Sequence, residues 1–428
     1  MAKKEKMVRL DARYDDLEGM LVPESLLPQG EMWGNGFKVN NGVLVEFKSK
    51  KKDVVIPEGI QYLKDDVFQG TLIHSVILPK SLVELNPDSF AYCYSLEKVE
   101  VAEGHPKYYV ENNCVIDSQT KTLIMGLHSS LIPENENVQI IGEHAFAPNG
   151  WGCYNNNIIP KNIVEIKKRG FAGCGLYSIS IPPTIKKMGK MAFTCCQCLK
   201  KVIIEEGVKK ISDEAFSKCD FLNTVVLPNT LETIGKKAFF QCERLTNINI
   251  PSSLKSIGMF ALCWSNNWYE GIQGKLVIPK NLKINYASFP CYGLESISVE
   301  EGNPYYYCEN DCLIEKETKT LVLGCKNSII PNGIKKIDNV AFYFSVGLKN
   351  VIIPEGVEEI GEDAFRYSSE ITEVIIPKSV TKIGKNAFQL QTYEWHTSPI
   401  KSVTMPRCFE NQNDIFDKVH NIKFTFLD

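Results

Sequence analysis

The sequence predicts an α/β repeat solenoid of short parallel strands joined by short helical turns. Three observations predict it. A segment typified by Leu222–Cys242 returns with small edits about a dozen times, every 22 or 23 residues where copies adjoin. Each copy carries a strand-closing residue, almost always proline, and a second landmark, most often the Phe of an Ala-Phe pair, and ten of the twelve such pairs of landmarks lie 11 residues apart. Between the landmarks, apolar residues first alternate and then recur at steps of three and four.

The landmarks run Pro57/Phe68, Pro79/Phe90, Pro133/Phe146, Pro160/Phe171, Pro182/Phe193, Glu205/Phe216 and Pro228/Phe239, then Pro251/Leu262, Pro279/Phe289, Pro331/Phe342, Pro354/Phe365 and Pro377/Phe388. Leu245, Ile248 and Ile250 ahead of Pro251 alternate with polar residues, as a strand with one buried face does. Proline lacks an N–H and fixes φ, so it ends the strand. Leu231, Ile234, Ala238 and Phe239 then fall on one stripe of a short helical turn. Gly235 is expected at a turn position that a larger residue would strain. Cys242, three residues past Phe239, points inward. One copy cannot bury these groups; stacked copies can.

The organisation expected is an N-terminal cap over residues 1–36, a solenoid over 37–406 and a C-terminal cap over 407–428. Two long interruptions, about 99–131 and 297–329, are related to each other. Val101-Ala-Glu-Gly-His105-Pro106 matches Val299-Glu-Glu-Gly-Asn303-Pro304, and Cys114-Val115-Ile116 matches Cys312-Leu313-Ile314. Apolar runs around polar turns make both β-hairpins.

Composition bounds the function. The net charge is -3, and the one basic cluster, Lys48 with Lys50, Lys51 and Lys52, reads as a solvated hairpin, which argues against nucleic acid as partner. No apolar run reaches the ~18 residues of a membrane helix, so no membrane insertion is expected. The N-terminus shows no apolar signal segment, which suggests a cytoplasmic location.

The strand pattern Leu222/Val225/Leu227 with Cys242 resembles the leucine-rich-repeat superfamily. The strand-closing Ile-Pro, the Ile-Gly-x-x-Ala-Phe turn and the cysteine three residues later resemble the BspA-type (bacterial surface antigen A) subclass. Ile352-Ile353-Pro354 followed by Ile360-Gly361-Glu362-Asp363-Ala364-Phe365 is close to that pattern. The resemblance implies a right-handed solenoid used for binding and for cell adhesion. It also implies a cell-surface location, with host matrix or another cell surface as partner.

No catalytic constellation is visible. The six histidines sit in different registers, and no metal-protease, phosphate-loop or nucleophile-elbow motif occurs. No cofactor is expected. Cys93, Cys174, Cys196, Cys219 and Cys242 share one slot and read as small thiols filling the core. Cys195, Cys196 and Cys198 match no zinc spacing, so no metal is expected.

Three shorter insertions remain. They hold Trp151 and Tyr154, then Trp264, Trp268 and Tyr269, then Tyr393 and Trp395. Aromatic residues in loops suggest contact surfaces. These seven are the expected binding residues, for a protein or glycan partner, in a monomeric, adhesin-like module. An intracellular protein-interaction scaffold is the alternative.

Overall fold

The computed structural model describes residues 7–9, 21–23 and 31–33 as strand backbone. From residue 36 it describes the chain except 147–157, 246–247, 263–273, 285–288, 290–292, 391–399, 413 and 417–421. Two compact units form, Met1–Val208 and Lys209–Asp428. Each is a parallel β-solenoid whose described strands fall into two ladders.

The first ladder is built from the strands ahead of the landmark proline. In the first unit Asp53–Val55, Ser75–Leu78 and Lys98–Val101 pair in parallel, as do Ser178–Ile181 and Lys201–Ile204. In the second unit Asn350–Ile352, Glu373–Ile375, Ser402–Pro406 and Lys423–Leu427 do the same. The second ladder consists of two-residue strands: Ile140–Ile141, Glu165–Ile166 and Lys187–Met188 in one unit, Lys336–Ile337, Glu359–Ile360 and Lys382–Ile383 in the other. The Ile of the Ile-Gly pair therefore lies on a second sheet and not on a helical turn.

The expected helical turns are absent in the same way. Among the described residues there is no α-helix, and helix is limited to short 3-10 segments such as Pro87–Phe90 and Arg407–Phe409. The corner around most of the described landmark Phe residues is instead a chain of tight turns in which the residues two before and two after it adopt left-handed φ. Around Phe216 these are Glu214 at 55° and Lys218 at 60°; around Phe365 they are Asp363 at 54° and Tyr367 at 60°. Left-handed residues cannot continue a right-handed helix.

The hydrogen bonds show what replaces it. Glu214, Phe216 and Lys218 donate their N–H groups across to the next coil, at Lys236 O, Ala238 O and Phe240 O, over 2.8, 2.8 and 2.7 Å. The amides between them bond locally, Ala215 to Ser212 O and Ser217 to Glu214 O. Alternate amides thus form a third inter-coil ladder without strand dihedrals. Steps of three and four along Ile234, Ala238 and Phe239 fit this corner as well as they fit a helix.

Gly235 is needed for a reason other than the one expected. Its φ is not left-handed; a Cβ there would come within 2.5 Å of Asp213 N on the preceding coil. Close approach of two backbones fixes it.

Inside, the landmark phenylalanines stack. Phe342–Phe365 and Phe365–Phe388 have centroids 4.8 and 4.9 Å apart, and Phe146–Phe171 repeats this at 4.8 Å in the first unit. The spacing is that of neighbouring strands. Burying each of these rings contributes on the order of 1.5–3 kcal/mol.

Three antiparallel meanders interrupt the coils: Phe37–Asn40 with Val43–Phe47, Tyr108–Glu111 with Cys114–Asp117 and Thr122–Gly126, and Tyr306–Glu309 with Cys312–Glu315 and Thr320–Leu323. Asn112-Asn113 (51°, 62°) and Asn310-Asp311 (50°, 58°) close their hairpins as two successive left-handed residues, the type I′ geometry. The final strand of each meander pairs in parallel with the first two-residue strand beyond it, so each meander starts a new run of the second ladder.

Candidate binding surfaces

The two ladders present opposite chemistry to solvent. The middle outward position of the first-ladder strands is often aliphatic: Val55 is 62% exposed, Ile352 57% and Val226 47%. Many outward positions of the second ladder are charged and cross-paired. Lys187 meets Glu165 at 3.6 Å; Glu359 takes Lys336 at 3.4 Å and Lys382 at 2.9 Å. The Lys382 hydrogen bond holds the Glu359 carboxyl below the usual range. Such exposed pairs add little stability, but they make this face a solvated one. The aliphatic face is the one with apolar area to offer.

The corner side adds aromatic–cation pairs. Tyr343, Phe344 and Tyr367 form a cluster with centroids 4.7 to 5.5 Å apart, and the Arg366 guanidinium lies 4.6 Å from the Tyr367 ring. Arg244 lies over Phe221 at 4.1 Å. The seven expected binding residues, Trp151, Tyr154, Trp264, Trp268, Tyr269, Tyr393 and Trp395, lie outside the described residues.

The cysteine slot has a chemistry that packing alone does not convey. Cys93, Cys196 and Cys242 each donate their thiol to the carbonyl of the landmark Phe one coil back, at 2.9, 3.1 and 3.1 Å. Ser368, in the same slot, donates to Phe342 O at 2.7 Å. In these copies the slot holds a small donor that gives a buried carbonyl a second hydrogen bond beside its local amide, and Ser368 was the signal of this in the sequence; the Ser345 hydroxyl, in the same slot, is buried without a partner. Burial pushes the Cys93 thiol up to about 11 and those of Cys114 and Cys312 up to about 12. All the described cysteines are free thiols.

Two of the described histidines are held in fixed contacts. His105 is a backbone clamp: Nδ1 accepts the amides of Lys107 and Tyr108 at 3.0 and 2.9 Å, which leaves Nε2 to donate to Leu82 O at 3.1 Å. Asn303 repeats the clamp in the other meander, its Oδ1 accepting Tyr305 and Tyr306 N–H while Nδ2 donates to Pro279 O. Burial lowers the His105 pKa, in keeping with an imidazole that must stay neutral to accept two amides. His144 Nδ1 lies 2.8 Å from Asp88 Oδ1, but the neighbouring Ser89 hydroxyl is buried without a partner, so no nucleophile is coupled to this pair. Among the described residues no group of three or more His, Cys, Asp or Glu side chains is placed to hold a metal ion, and no helix is long and apolar enough to cross a membrane.

A solenoid with two strand ladders, stacked phenylalanines and a recurrent slot for a small residue three positions beyond the ring is the architecture of a leucine-rich-repeat protein. More narrowly, the family model described as the BspA type leucine rich repeat region matches residues 46–147, 139–269, 209–325 and 321–425, and the chain belongs to that family. Solenoids of this kind are typically non-catalytic scaffolds for protein interaction.

Solved structures share the repeat at low identity. A leucine-rich repeat protein from Eubacterium ventriosum is 21% identical over 56% of this chain and 64% of its own, with a TM-score of 0.47. The chain thus spans less than two thirds of that protein. One from Bacteroides ovatus is 21% identical over 94% of this chain and 98% of its own, TM-score 0.47. The pneumococcal vaccine antigen PcpA is 20% identical over 88% and 82%, TM-score 0.45. No curated protein sequence matches the chain.

Proposed function

We propose that this chain is a non-catalytic, adhesin-like binding module that holds a protein or glycan partner on the solenoid surface and on the aromatic loops carrying Trp151, Tyr154, Trp264, Trp268, Tyr269, Tyr393 and Trp395. The observation that carries the reading is the contrast between the ladders: an exposed aliphatic face on one and a self-paired charged face on the other. Area for a partner is offered where side chains do not satisfy one another. On this reading residues 1–36 and 407–428 cap the 37–406 solenoid, and the module acts as a monomer.

The test is capture of matrix proteins and glycans on arrays by the purified chain, compared with its Trp264→Ala/Trp268→Ala variant. Capture lost at an unchanged melting temperature supports the loops as binding surface. Capture retained with a falling melting temperature makes them structural.

A second reading, an intracellular interaction scaffold, is favoured by the free described thiols, which suit a reducing compartment. Cell fractionation with a protease-shaving control separates the two.

A further inference from the structure

The two related meanders close the adjoining edge of the first ladder differently. Lys98–Val101 pairs with Ser75–Leu78 on one side and, among the described residues, with no strand on the other. In that register Lys98, Glu100 and Ala102 bond back to the preceding strand, so Val99 and Val101 turn their backbone groups to the open side. Asn113, at the tip of the meander, covers part of this edge. Its Oδ1 accepts Val99 N–H at 3.1 Å and its Nδ2 donates to Glu97 O at 2.7 Å.

In the second unit the counterpart strand Leu294–Val299 is sealed further. Asp311 accepts Ile297 N–H at 3.0 Å, Asn327 and Cys325 cover Glu295 O, and the Cys308 thiol donates to Ile297 O at 3.0 Å. Val110 stands in the first unit where Cys308 stands in the second, and it has no donor to give. The carbonyl of Val99 and the amide of Val101 are left facing an open cleft of about 850 Å³ between strand and meander.

These two groups bracket Glu100. In a parallel ladder one incoming residue donates its N–H to the carbonyl before its opposite number and accepts from the amide after it. The notch is thus shaped for a single further strand running parallel. The cleft lining carries Glu97, Glu100 and Glu103 against one cation, Lys98, which is already paired with Glu100. His105, held neutral by its two accepted amides, adds no charge. The residue bonded opposite Glu100 shares its outward face beside Ile77, and its neighbours face the Tyr109 and Val110 wall.

From this we infer that the cleft between Lys98–Val101 and the first meander binds an extended cationic peptide segment of a partner protein by parallel strand addition, with basic residues alternating with apolar ones. Main-chain bonds supply the affinity and side-chain alternation the selectivity. This goes beyond the aromatic-loop reading and does not depend on it. A chain that captures its partner yet fails the test below loses only this site.

The probe is acetyl-Lys-Val-Lys-Val-Lys-Val-amide, with two isomers methylated on the backbone nitrogen of every lysine or of every valine. Lysine residues are the ones whose N–H faces Val99. The lysine-methylated peptide is expected to bind at least about tenfold more weakly than the parent, while the valine-methylated one, whose methyls face away, binds like it. Deuterium exchange at Val101 should slow on binding of the parent. The Val110→Cys variant, which copies the seal of the second unit, should weaken binding by a comparable factor. Equal binding of both methylated isomers, protection elsewhere than Val101, or no binding by the folded wild-type chain would each overturn the inference.

Discussion

Replacing Cys196 separates two accounts of the cysteine slot, space filling and hydrogen bonding. The Cys196 thiol is fully buried and reaches Phe171 O at 3.1 Å on the preceding coil. Alanine removes both functions. Phe171 O still accepts the Cys174 N–H at 3.2 Å, so alanine removes that carbonyl's second hydrogen bond, about 0.5–1.5 kcal/mol, and the lost sulfur contacts add about 1 kcal/mol; Cys196→Ala should destabilise its region by about 1.5–2.5 kcal/mol. Cys196→Val keeps the volume and gives up only the second hydrogen bond to that carbonyl, for about 0.5–1.5 kcal/mol. Cys196→Ser gives up a little volume but keeps a donor, as Ser368 does at 2.7 Å, and should cost under about 1 kcal/mol. Native-state hydrogen exchange of peptides spanning Phe171 and Cys196 reads this locally, which avoids assuming that a chain of two compact units unfolds in one step. The order expected is serine mildest, then valine, then alanine. Valine milder than serine would refute the donor role and return the slot to packing alone.

Further predictions follow the same geometry. His105→Ala removes three hydrogen bonds worth about 1 kcal/mol each and should cost about 2–3 kcal/mol, whereas His105→Asn, which copies Asn303, should stay within about 1 kcal/mol. Because the folded pKa of His105 lies below its ordinary 6.5, its contribution is complete above that pH and is lost as pH falls from there toward the folded value. Urea midpoints measured down that window should fall further for wild type than for His105→Asn. A Cβ at Gly324 would lie 1.9 Å from the Phe342 ring, so Gly324→Ala should lower stability by about 2–3 kcal/mol, read by calorimetry. With iodoacetamide at pH 8, Cys408, which is exposed, should react before Cys93 and Cys312, whose thiols burial holds near 11 and 12; peptide mass spectrometry gives the order.

The repeat, its inward residues and the paired meanders were legible in the sequence because burial imposes a period that survives substitution at every outward position. Phe342, Phe365 and Phe388 stack where the landmark spacing puts them. The corner was misread because Ile234, Ala238 and Phe239 obey the same steps in a helix and in a left-handed turn chain; only the backbone bonds to the next coil distinguish them. The second ladder was missed because its strands are two residues long, too short to show alternation. The donor in the cysteine slot was recoverable from Ser368, which shares only size and a donor with cysteine. The open notch at Val99 and Val101 had a faint mark too: Val110 opposite Cys308 looks conservative until the atom each presents to a backbone carbonyl is known.

The alternating amides of the corner bear on how such a chain changes length. Each coil hands its donors forward to the next and receives those of the one before, whatever its outward side chains. A duplication or deletion of a whole coil leaves every donor matched, while a cut within one strands several at once. The backbone itself thus sets the quantum of growth at 22 or 23 residues. Exchange of whole copies would keep these donors matched, and the meanders are the places where a new count begins.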